Sequence, residues 1–360
     1  MPQSLVISID AMGGDHGPSV VVPSLKRAAE RLQGKDVRFL LHGDEARITA
    51  GLKHIGDIAA RCEVRHTDQV IAMDEKPATA LRRGKGSSMW NAVEAVKKGE
   101  AHAAVSAGNT GALMAISKLL LRMAAPGLDR PAIVASWPTS RGITAVLDVG
   151  ANVQSDAAQL VEFAIMGEAF HQAVHGSEKP TVGLLNVGSE DVKGHEEVRE
   201  AQTLLREGGF DIDYRGFVEG TDIAKGTVDV IVTDGFTGNI ALKTAEGTAR
   251  FISDLMKEAL TSSPLSKMGA LLAMGALKAM RARIDPNSLN GGPLLGLNGV
   301  VVKSHGGADA KGFANAIKVA ADLAASNYAE RIARNLERLD IAIHTPPAAE
   351  AQSQGAETAA

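Results

Sequence analysis

Six short segments of the chain combine glycine with Asp, Asn, Ser, Thr or His, and each follows a short apolar run. Glycine lets backbone N–H groups approach an oxyanion closely, and a helix that begins in such a loop favours negative charge at its N-terminus. The pattern therefore indicates a site for free phosphate or for a phosphate-bearing ligand. The six segments are 10–17, 106–111, 148–152, 186–194, 234–239 and 304–309.

Eight residues of these segments are the candidate phosphate ligands. Each also has a purely structural explanation, because Asp, Asn or Ser just before a helix is usually an N-cap, and Gly238 can relieve strain in a tight turn. No segment fits a Walker A motif or a strand-linked G-x-G-x-x-G fingerprint, which argues against nucleotide hydrolysis and dinucleotide binding. The candidates are Ser106, Gly108, Asn109, Thr110, Gly188, Ser189, Gly238 and Asn239.

Three further features limit the chemistry. We expect no metal, because no His, Asp or Glu cluster has a ligand spacing such as H-E-x-x-H, and no G-x-S-x-G nucleophile elbow is present. Cys62 is the only cysteine, which excludes an intrachain disulfide and fits a reducing, cytoplasmic compartment. Lys193 by default is a solvated surface lysine, and His305 a structural hydrogen-bonding residue.

A basic segment precedes a helix predicted to begin near residue 87. Lys76, Arg82, Arg83 and Lys85 place four positive charges within ten residues. Most charge runs are solvated surface, but a position beside a helix start also fits an anionic partner. The whole chain of 360 residues has 38 basic and 42 acidic side chains, a net charge of −4, which argues against a general nucleic-acid binder.

Short apolar runs typical of buried parallel strands alternate with amphipathic helical patterns along the chain. We therefore predict an α/β protein, a three-layer α/β/α sandwich with a mostly parallel sheet, in which residues 1–344 form one domain. Ligands of such folds bind beyond the carboxyl ends of the strands, where all six segments fall. The predicted strands are 5–9, 37–41, 103–105, 133–136, 143–147, 181–185, 228–232 and 300–302, and the predicted helices include 87–98, 155–171, 196–207 and 240–258.

Two regions depart from this alternation. Residues 261–285 carry more apolar side chains than one core-facing stripe needs, interspersed with Lys and Arg, and predict a helical excursion. A dimer interface and an apolar tip that touches a membrane surface both explain it. Residues 345–360 predict a disordered tail. No stretch is apolar and long enough to span a membrane, and no signal peptide is visible.

In most of the glycine-rich segments, and in two further stretches, the sequence closely resembles the bacterial phosphate acyltransferase family, the acyl-acyl carrier protein:phosphate transacylases. The resemblance runs in order from about residue 4 to residue 335. It is carried by IDAMGGD at 9–15, the stretch 76–89, SAGNTGA at 106–112, DVGAN at 148–152, LNVGSE at 185–190, DGFTGN at 234–239 and GGPLLG at 291–296.

The resemblance implies that a long-chain fatty acyl group passes reversibly from the thioester of acyl carrier protein to inorganic phosphate, with no cofactor. The acyl-phosphate product would feed a downstream membrane acyltransferase that acylates glycerol 3-phosphate. The resemblance also implies a homodimer with the fold of phosphate acetyltransferases and of isocitrate and isopropylmalate dehydrogenases. The protein would be cytoplasmic, with peripheral contact to the inner face of the cell membrane through 261–285.

For that reaction we expect Lys193 to place positive charge at the phosphate or at the developing oxyanion. Asp234 would orient Lys193 or a phosphate proton, and His305 would be a second donor. The candidate phosphate ligands and glycine N–H groups would form the cradle. The expected docking residues for the acidic carrier protein are Arg82, Arg83 and Lys85.

Three alternatives stay open on the sequence alone. One is a short-chain phosphotransacetylase that acts on acetyl-coenzyme A. Another is a hydroxy-acid dehydrogenase of the related fold, which the missing nicotinamide fingerprint disfavours. The third is a non-catalytic scaffold that recruits fatty-acid enzymes to the membrane, although a scaffold has no use for six polar, glycine-rich loops.

Overall fold

Eleven strands form one sheet in the part of the chain that the computed structural model describes, residues 4–125, 128, 130–326, 328, 330, 332, 335 and 336. The strands are Leu5–Asp10 (β1), Val37–Gly43 (β2), Cys62–His66 (β3), Ala103–Ser106 (β4), Ala132–Pro138 (β5), Ile143–Leu147 (β6), Thr181–Leu185 (β7), Asp213–Val218 (β8), Val230–Val232 (β9), Gly292–Leu295 (β10) and Val300–Lys303 (β11). Their spatial order is β3-β2-β1-β4-β11-β10-β5-β6-β9-β7-β8.

Helices cover both faces of this sheet, and the predicted three-layer α/β/α fold is confirmed. The α-helices are Pro18–Arg31 (α1), Glu45–Leu52 (α2), Pro77–Arg83 (α3), Ser88–Lys97 (α4), Thr110–Leu121 (α5), Ala157–His175 (α6), Glu196–Glu207 (α7), Gly220–Lys225 (α8), Gly235–Thr261 (α9), Pro264–Leu272 (α10), Met274–Ile284 (α11) and Ala310–Ala324 (α12). In the interior strand β4, Val105 belongs to the core that α1, α6 and α12 cover, while its neighbour Ala104 belongs to the core that α4 and α5 cover on the other face.

The two halves of the sheet run in opposite directions. β1, β2, β3, β4 and β11 are mutually parallel, and so are β6, β7, β8 and β9. Between the halves, β10 is antiparallel to β11 and to β5, and β5 is antiparallel to β6. Followed across β10 and β5, the register brings Leu147 at the end of β6 level with Val302 near the end of β11, so the loops after β1, β4 and β11 and those after β6, β7 and β9 leave the sheet in opposite directions from about the same level.

The predicted excursion at 261–285 is helical and consists of the end of α9 with α10 and α11. In α10, which has no buried residue, Leu265, Leu271 and Leu272 are exposed. None of the helices within the described ranges has both the length and the apolarity to cross a bilayer. The predicted tail, 345–360, lies outside the described residues.

Candidate functional site

The six glycine-rich segments follow strands in the two halves of the sheet and so fall into two groups. Segments 10–17, 106–111 and 304–309 follow β1, β4 and β11, and we call them the first loop cluster. Segments 148–152, 186–194 and 234–239 follow β6, β7 and β9, and we call them the second loop cluster. The strands that carry the two clusters belong to different halves of the sheet and run in opposite directions, so the two clusters leave the sheet in opposite directions from about the same level.

Glycines hold the first loop cluster together by close approach. A Cβ atom on Gly13 would lie 2.7 Å from the backbone nitrogen of Gly108. Gly14 has φ +83°, and a Cβ there would lie 2.9 Å from the carbonyl oxygen of Gly306. The backbone N–H of Asp15 donates to that same oxygen over 3.0 Å. The three loops are thus in direct contact, and larger residues at these two glycines would force them apart.

Ser106, a predicted phosphate ligand, is occupied within the protein. Its buried hydroxyl donates to Oδ2 of Asp10 over 2.6 Å and accepts the N–H of Gly108 over 3.0 Å. The other carboxylate oxygen of Asp10 accepts the N–H groups of Met12 and Gly13. The structure therefore places Ser106 as the residue that joins two loops, with its hydroxyl proton already committed.

Asn109, also a predicted phosphate ligand, is the N-cap of α5. Its Oδ1 accepts the N–H of Ala112 over 2.9 Å, and its Nδ2 donates to the carbonyl oxygens of Met73 and Glu75. The capping explanation from the sequence is confirmed for this side chain. Thr110, in the first turn of α5, is exposed, so its hydroxyl faces solvent at the first loop cluster.

His305 lies exposed in the same cluster. Its backbone N–H donates to Oδ1 of Asn290 over 2.9 Å, and its ring Nδ1 accepts the N–H of Gly307 over 3.1 Å. Since Nδ1 is an acceptor, the neutral ring carries its proton on Nε2, which leaves Nε2 as the donor expected of His305.

Lys303, which the sequence analysis missed, lies partly buried at the end of β11. Its Nζ donates to the carbonyl oxygens of Ala107, over 3.2 Å, and Ser304. Burial lowers its pKa to about 8, against the opposing attraction of Asp10 and Asp15. In the sequence Val-Val-Lys, the lysine looks like the last residue of a strand. Its position just before Ser304 is the only signal that could have identified Lys303 as a candidate site residue.

Asp148 organises the second loop cluster from a fully buried position. Its carboxylate accepts backbone N–H groups from Ile133, Ala151 and Asn152. Burial raises its pKa even though these hydrogen bonds act in the opposite direction. A Cβ on Gly238 would collide with the carbonyl oxygen of Asp148, so glycine is required where α9 meets this loop.

The side chain of Lys193 is exposed in the second loop cluster. The backbone N–H of Lys193 donates to the carbonyl oxygen of Glu190, and Nδ2 of Asn186 donates to the carbonyl oxygen of Lys193, both over 3.0 Å. These two hydrogen bonds close the loop. Among the described residues no carboxylate forms an ion pair with Lys193. Its charge is therefore available, and Ser189 beside it is exposed as well.

Asp234 is the N-cap of α9, where its carboxylate accepts the N–H and the hydroxyl of Thr237 over 2.9 and 2.8 Å. Within the described ranges it makes no ion pair with Lys193, although the two loops follow neighbouring strands. Asn239 is exposed in the first turns of α9, next to Gly150. The N-terminus of α9 and Lys193 thus belong to the same loop cluster.

The predicted docking residues flank the first loop cluster. Arg82, Arg83 and Lys85 are exposed at the end of α3 and just beyond it. A Cβ on Gly111 would lie 2.8 Å from Cγ of Pro77, so α3 begins against α5. These charges therefore lie on and just beyond a helix whose first residue contacts the first turn of α5. No group of metal-binding side chains occurs in the described part of the chain.

Comparison with known proteins gives a consistent picture. A family model described as "Fatty acid synthesis protein" matches residues 5–331. A phosphate acyltransferase from Caulobacter vibrioides is 71% identical over 340 residues, 94% of this chain and 93% of the relative. A phosphate acyltransferase from Phenylobacterium zucineum is 64% identical over 356 residues, 99% of this chain and 100% of the relative.

Solved structures with the same fold are far more distant in sequence. A phosphotransacetylase from Streptococcus pyogenes superposes with a TM-score of 0.60 at 18% identity, covering 90% of this chain and 95% of that one. A branched-chain phosphotransacylase from Enterococcus faecalis has a TM-score of 0.55 at 13% identity, covering 90% and 100%. At such identities the likeness establishes the fold alone.

Proposed function

This chain is a member of the phosphate acyltransferase family and an acyltransferase enzyme, and we propose that it moves a long-chain fatty acyl group from acyl carrier protein to inorganic phosphate. The product is an acyl-phosphate for phospholipid synthesis. The observation that carries the proposal is the exposed ammonium of Lys193, which has no ion-pair partner among the described residues and lies in the loop cluster where α9 begins. A cation and a helix N-terminus in one loop cluster suit a dianionic acceptor.

The reaction needs no covalent enzyme intermediate. A phosphate oxygen attacks the thioester carbonyl carbon, a C–O bond forms, and the C–S bond breaks as the tetrahedral intermediate collapses. The thiolate leaves and takes up a proton. Phosphate is already substantially dianionic at neutral pH, so the enzyme has to overcome charge repulsion, orient the anion and stabilise the oxyanion.

Residues of both loop clusters have roles in this proposal. Lys193 supplies the positive charge, and Asp234 acts indirectly by capping the helix whose N-terminus faces the anion. His305 donates from Nε2. Exposed Ser189 and Asn239 line the cradle beside Lys193, and exposed Thr110 lines it from the first loop cluster, whereas Ser106 and Asn109 position loops. Gly108 and Gly238 already donate their N–H groups to the Ser106 hydroxyl and to the Asp234 carbonyl oxygen, so Gly188 is the predicted glycine that contributes to the cradle.

Acyl carrier protein would dock on the basic end of α3. An acidic partner is steered by exposed positive charge, which Arg82, Arg83 and Lys85 supply. The excursion at 261–285 would contact the inner face of the cell membrane from the cytoplasm, since exposed leucines there are flanked by lysines. There the acyl-phosphate would pass to a membrane acyltransferase. The enzyme would act as a homodimer.

Incubation of the purified enzyme with palmitoyl-acyl carrier protein, with and without inorganic phosphate, tests the proposal. We expect phosphate-dependent thiol release and an acyl-phosphate that hydroxylamine traps. Acetyl-coenzyme A is the parallel substrate. Faster turnover of acetyl-coenzyme A would favour the short-chain alternative, and no turnover of either substrate would favour a scaffold.

A further inference from the structure

We infer that Lys303 is a positioning residue for acyl transfer: its ammonium joins the loop after β4 to the loop after β11 and supplies positive charge beneath the first loop cluster. The inference rests on the proposed function, because it concerns the same reaction. It goes further by giving a role to a second cation, which lies in the other half of the sheet from Lys193.

The side chain of Lys303 links two loops of the first loop cluster. Its Nζ donates to the carbonyl oxygen of Ala107, over 3.2 Å, and to the carbonyl oxygen of Ser304. Lys303 pairs with Ser106 in the parallel register of β11 and β4, and the backbone N–H of Ser304 donates to the carbonyl oxygen of Ser106 over 2.8 Å. The ammonium therefore extends the contact between these two strands into the loops that follow them.

The two carbonyl groups belong to the segments that carry the exposed polar groups of the cluster. Ala107 lies three residues before Thr110, in the first turn of α5. Ser304 immediately precedes His305, whose Nε2 is a donor in the proposed reaction. Because one ammonium holds both carbonyl groups, its loss would shift both segments, and a misplacement of about 1 Å can cost about a hundredfold in rate.

Other contacts hold the cluster together without Lys303. The hydroxyl of Ser106 donates to Asp10 over 2.6 Å and joins the loops after β4 and β1. The loop after β11 is held by the backbone N–H of His305, which donates to Oδ1 of Asn290 over 2.9 Å. We therefore expect loss of the ammonium to leave the fold intact and to change the fit of the loops.

The ammonium also changes the electrostatics of the cluster. Asp10 and Asp15 are near enough to attract it, and Lys243 on α9 repels it. Among the residues that the structure describes, Lys303 forms no ion pair, so its direct partners are carbonyl oxygens. In the proposed reaction the thioester carbonyl becomes an oxyanion only as phosphate attacks. The two carboxylates would repel that oxyanion, and the ammonium offsets the repulsion.

A charge at this position is costly for folding. Burial lowers the pKa of Lys303 to about 8, although Asp10 and Asp15 act in the opposite direction. Methionine, which is also unbranched and of similar length, would avoid the cost of burying a charge. Groups whose pKa is shifted by burial concentrate at functional sites, where stability is exchanged for activity. The buried charge therefore favours a role in the reaction over a role in folding.

Three variants test the inference. Lys303→Met removes the charge and the donated hydrogen bonds, Lys303→Arg keeps a charge and N–H donors, and Lys97→Met, at an exposed lysine on α4, is the matched control. At pH 7 we expect kcat of Lys303→Met with palmitoyl-acyl carrier protein to fall about 10- to 100-fold, while KM for both substrates changes less than about threefold. Lys303→Arg should be several-fold more active than Lys303→Met, and Lys97→Met should match the wild type.

The pH dependence of turnover isolates the charge. A neutral amine keeps two N–H groups, so deprotonation of Lys303 removes its charge while donors remain for the two carbonyl oxygens. Wild-type kcat should therefore fall as the pH rises through about 8, and Lys303→Arg, which stays charged, should lack this fall. Identical profiles of the wild type and Lys303→Arg from pH 7 to 9.5 would overturn the inference.

Stability measurements separate positioning from a structural role. Since the buried charge is costly, the melting temperature of Lys303→Met should stay close to that of the wild type. A loss of turnover that only follows a loss of folded protein in circular dichroism would overturn the inference. A wild type without phosphate-dependent turnover would reject the proposed function, whereas an active wild type with an equally active Lys303→Met would reject only the role of Lys303.

Discussion

Ser106 donates its hydroxyl proton to Asp10 across 2.6 Å, and both side chains are almost completely buried. This contact joins the loop after β4 to the loop after β1, and the same serine oxygen accepts the N–H of Gly108. Short hydrogen bonds to a buried carboxylate are among the stronger ones in proteins. The first loop cluster is therefore built around a fixed pair, and its exposed groups, such as Thr110, are positioned by it.

Removal of this hydroxyl should lower stability. Ser106→Ala leaves a buried carboxylate oxygen of Asp10 without that donor, and such a loss costs about 1–3 kcal/mol. We expect the free energy of unfolding in urea to fall by that amount. Ser189→Ala, at an exposed candidate ligand, is the control and should leave stability within about 0.5 kcal/mol. Equal stability of the two variants would contradict the structural role of Ser106.

Loss of the Lys193 charge should act on turnover rather than on folding. Lys193→Ala removes an exposed cation, so the melting temperature should stay close to that of the wild type. A lost charged contact to the transition state costs about 2.7–4 kcal/mol, or roughly 10²–10³ in kcat. Lys97→Ala, at an exposed lysine on α4, is the matched control. Unchanged turnover of Lys193→Ala would remove this residue from the mechanism.

The sequence predicted most of the sheet but not the reversal of direction across it. Alternating strands and helices normally mean parallel pairing, and β1, β2, β4 and β11 obey that rule. The strands predicted at 133–136 and 143–147 are only six residues apart, however, and a parallel crossover needs a dozen or more. That spacing contained the signal for an antiparallel pair, and with it for two separate loop clusters.

Strands β3, β8 and β10 were not predicted, for different reasons. β3 and β8 are the outermost strands of the sheet and carry charged residues such as the half-buried Arg65 and the exposed Arg215. β10 includes Pro293, which normally argues against a strand inside a sheet. The hydrogen bonds of Ser106 to Asp10 and of Asn109 to Met73 could not be predicted either, because the two partners are distant from each other in the chain.

Charge reversal on α3 should weaken the carrier substrate selectively. Arg82→Glu with Arg83→Glu replaces two exposed positive charges near the first loop cluster with two negative ones. We expect KM for acyl carrier protein to rise about tenfold or more at low salt and less at high salt, because screening weakens the attraction. KM for phosphate should not change. Arg27→Glu on α1 is the control, and an equal effect there would indicate nonspecific charge steering.

Lys303 should make stability depend on pH in the alkaline range. Its pKa in the folded protein is about 8, below the 10.5 of an unperturbed lysine, so between these values the unfolded chain binds the extra proton. The free energy of unfolding should therefore rise with pH in this window, by up to about 3 kcal/mol, and not below pH 8. Lys303→Met lacks the titrating group, and subtraction of its urea-unfolding profile from that of the wild type removes the contribution of other groups. A difference profile that stays flat from pH 7.5 to 10.5 would show that the ammonium is no more costly in the folded protein than in water, and that Ala107 and Ser304 fully compensate its burial.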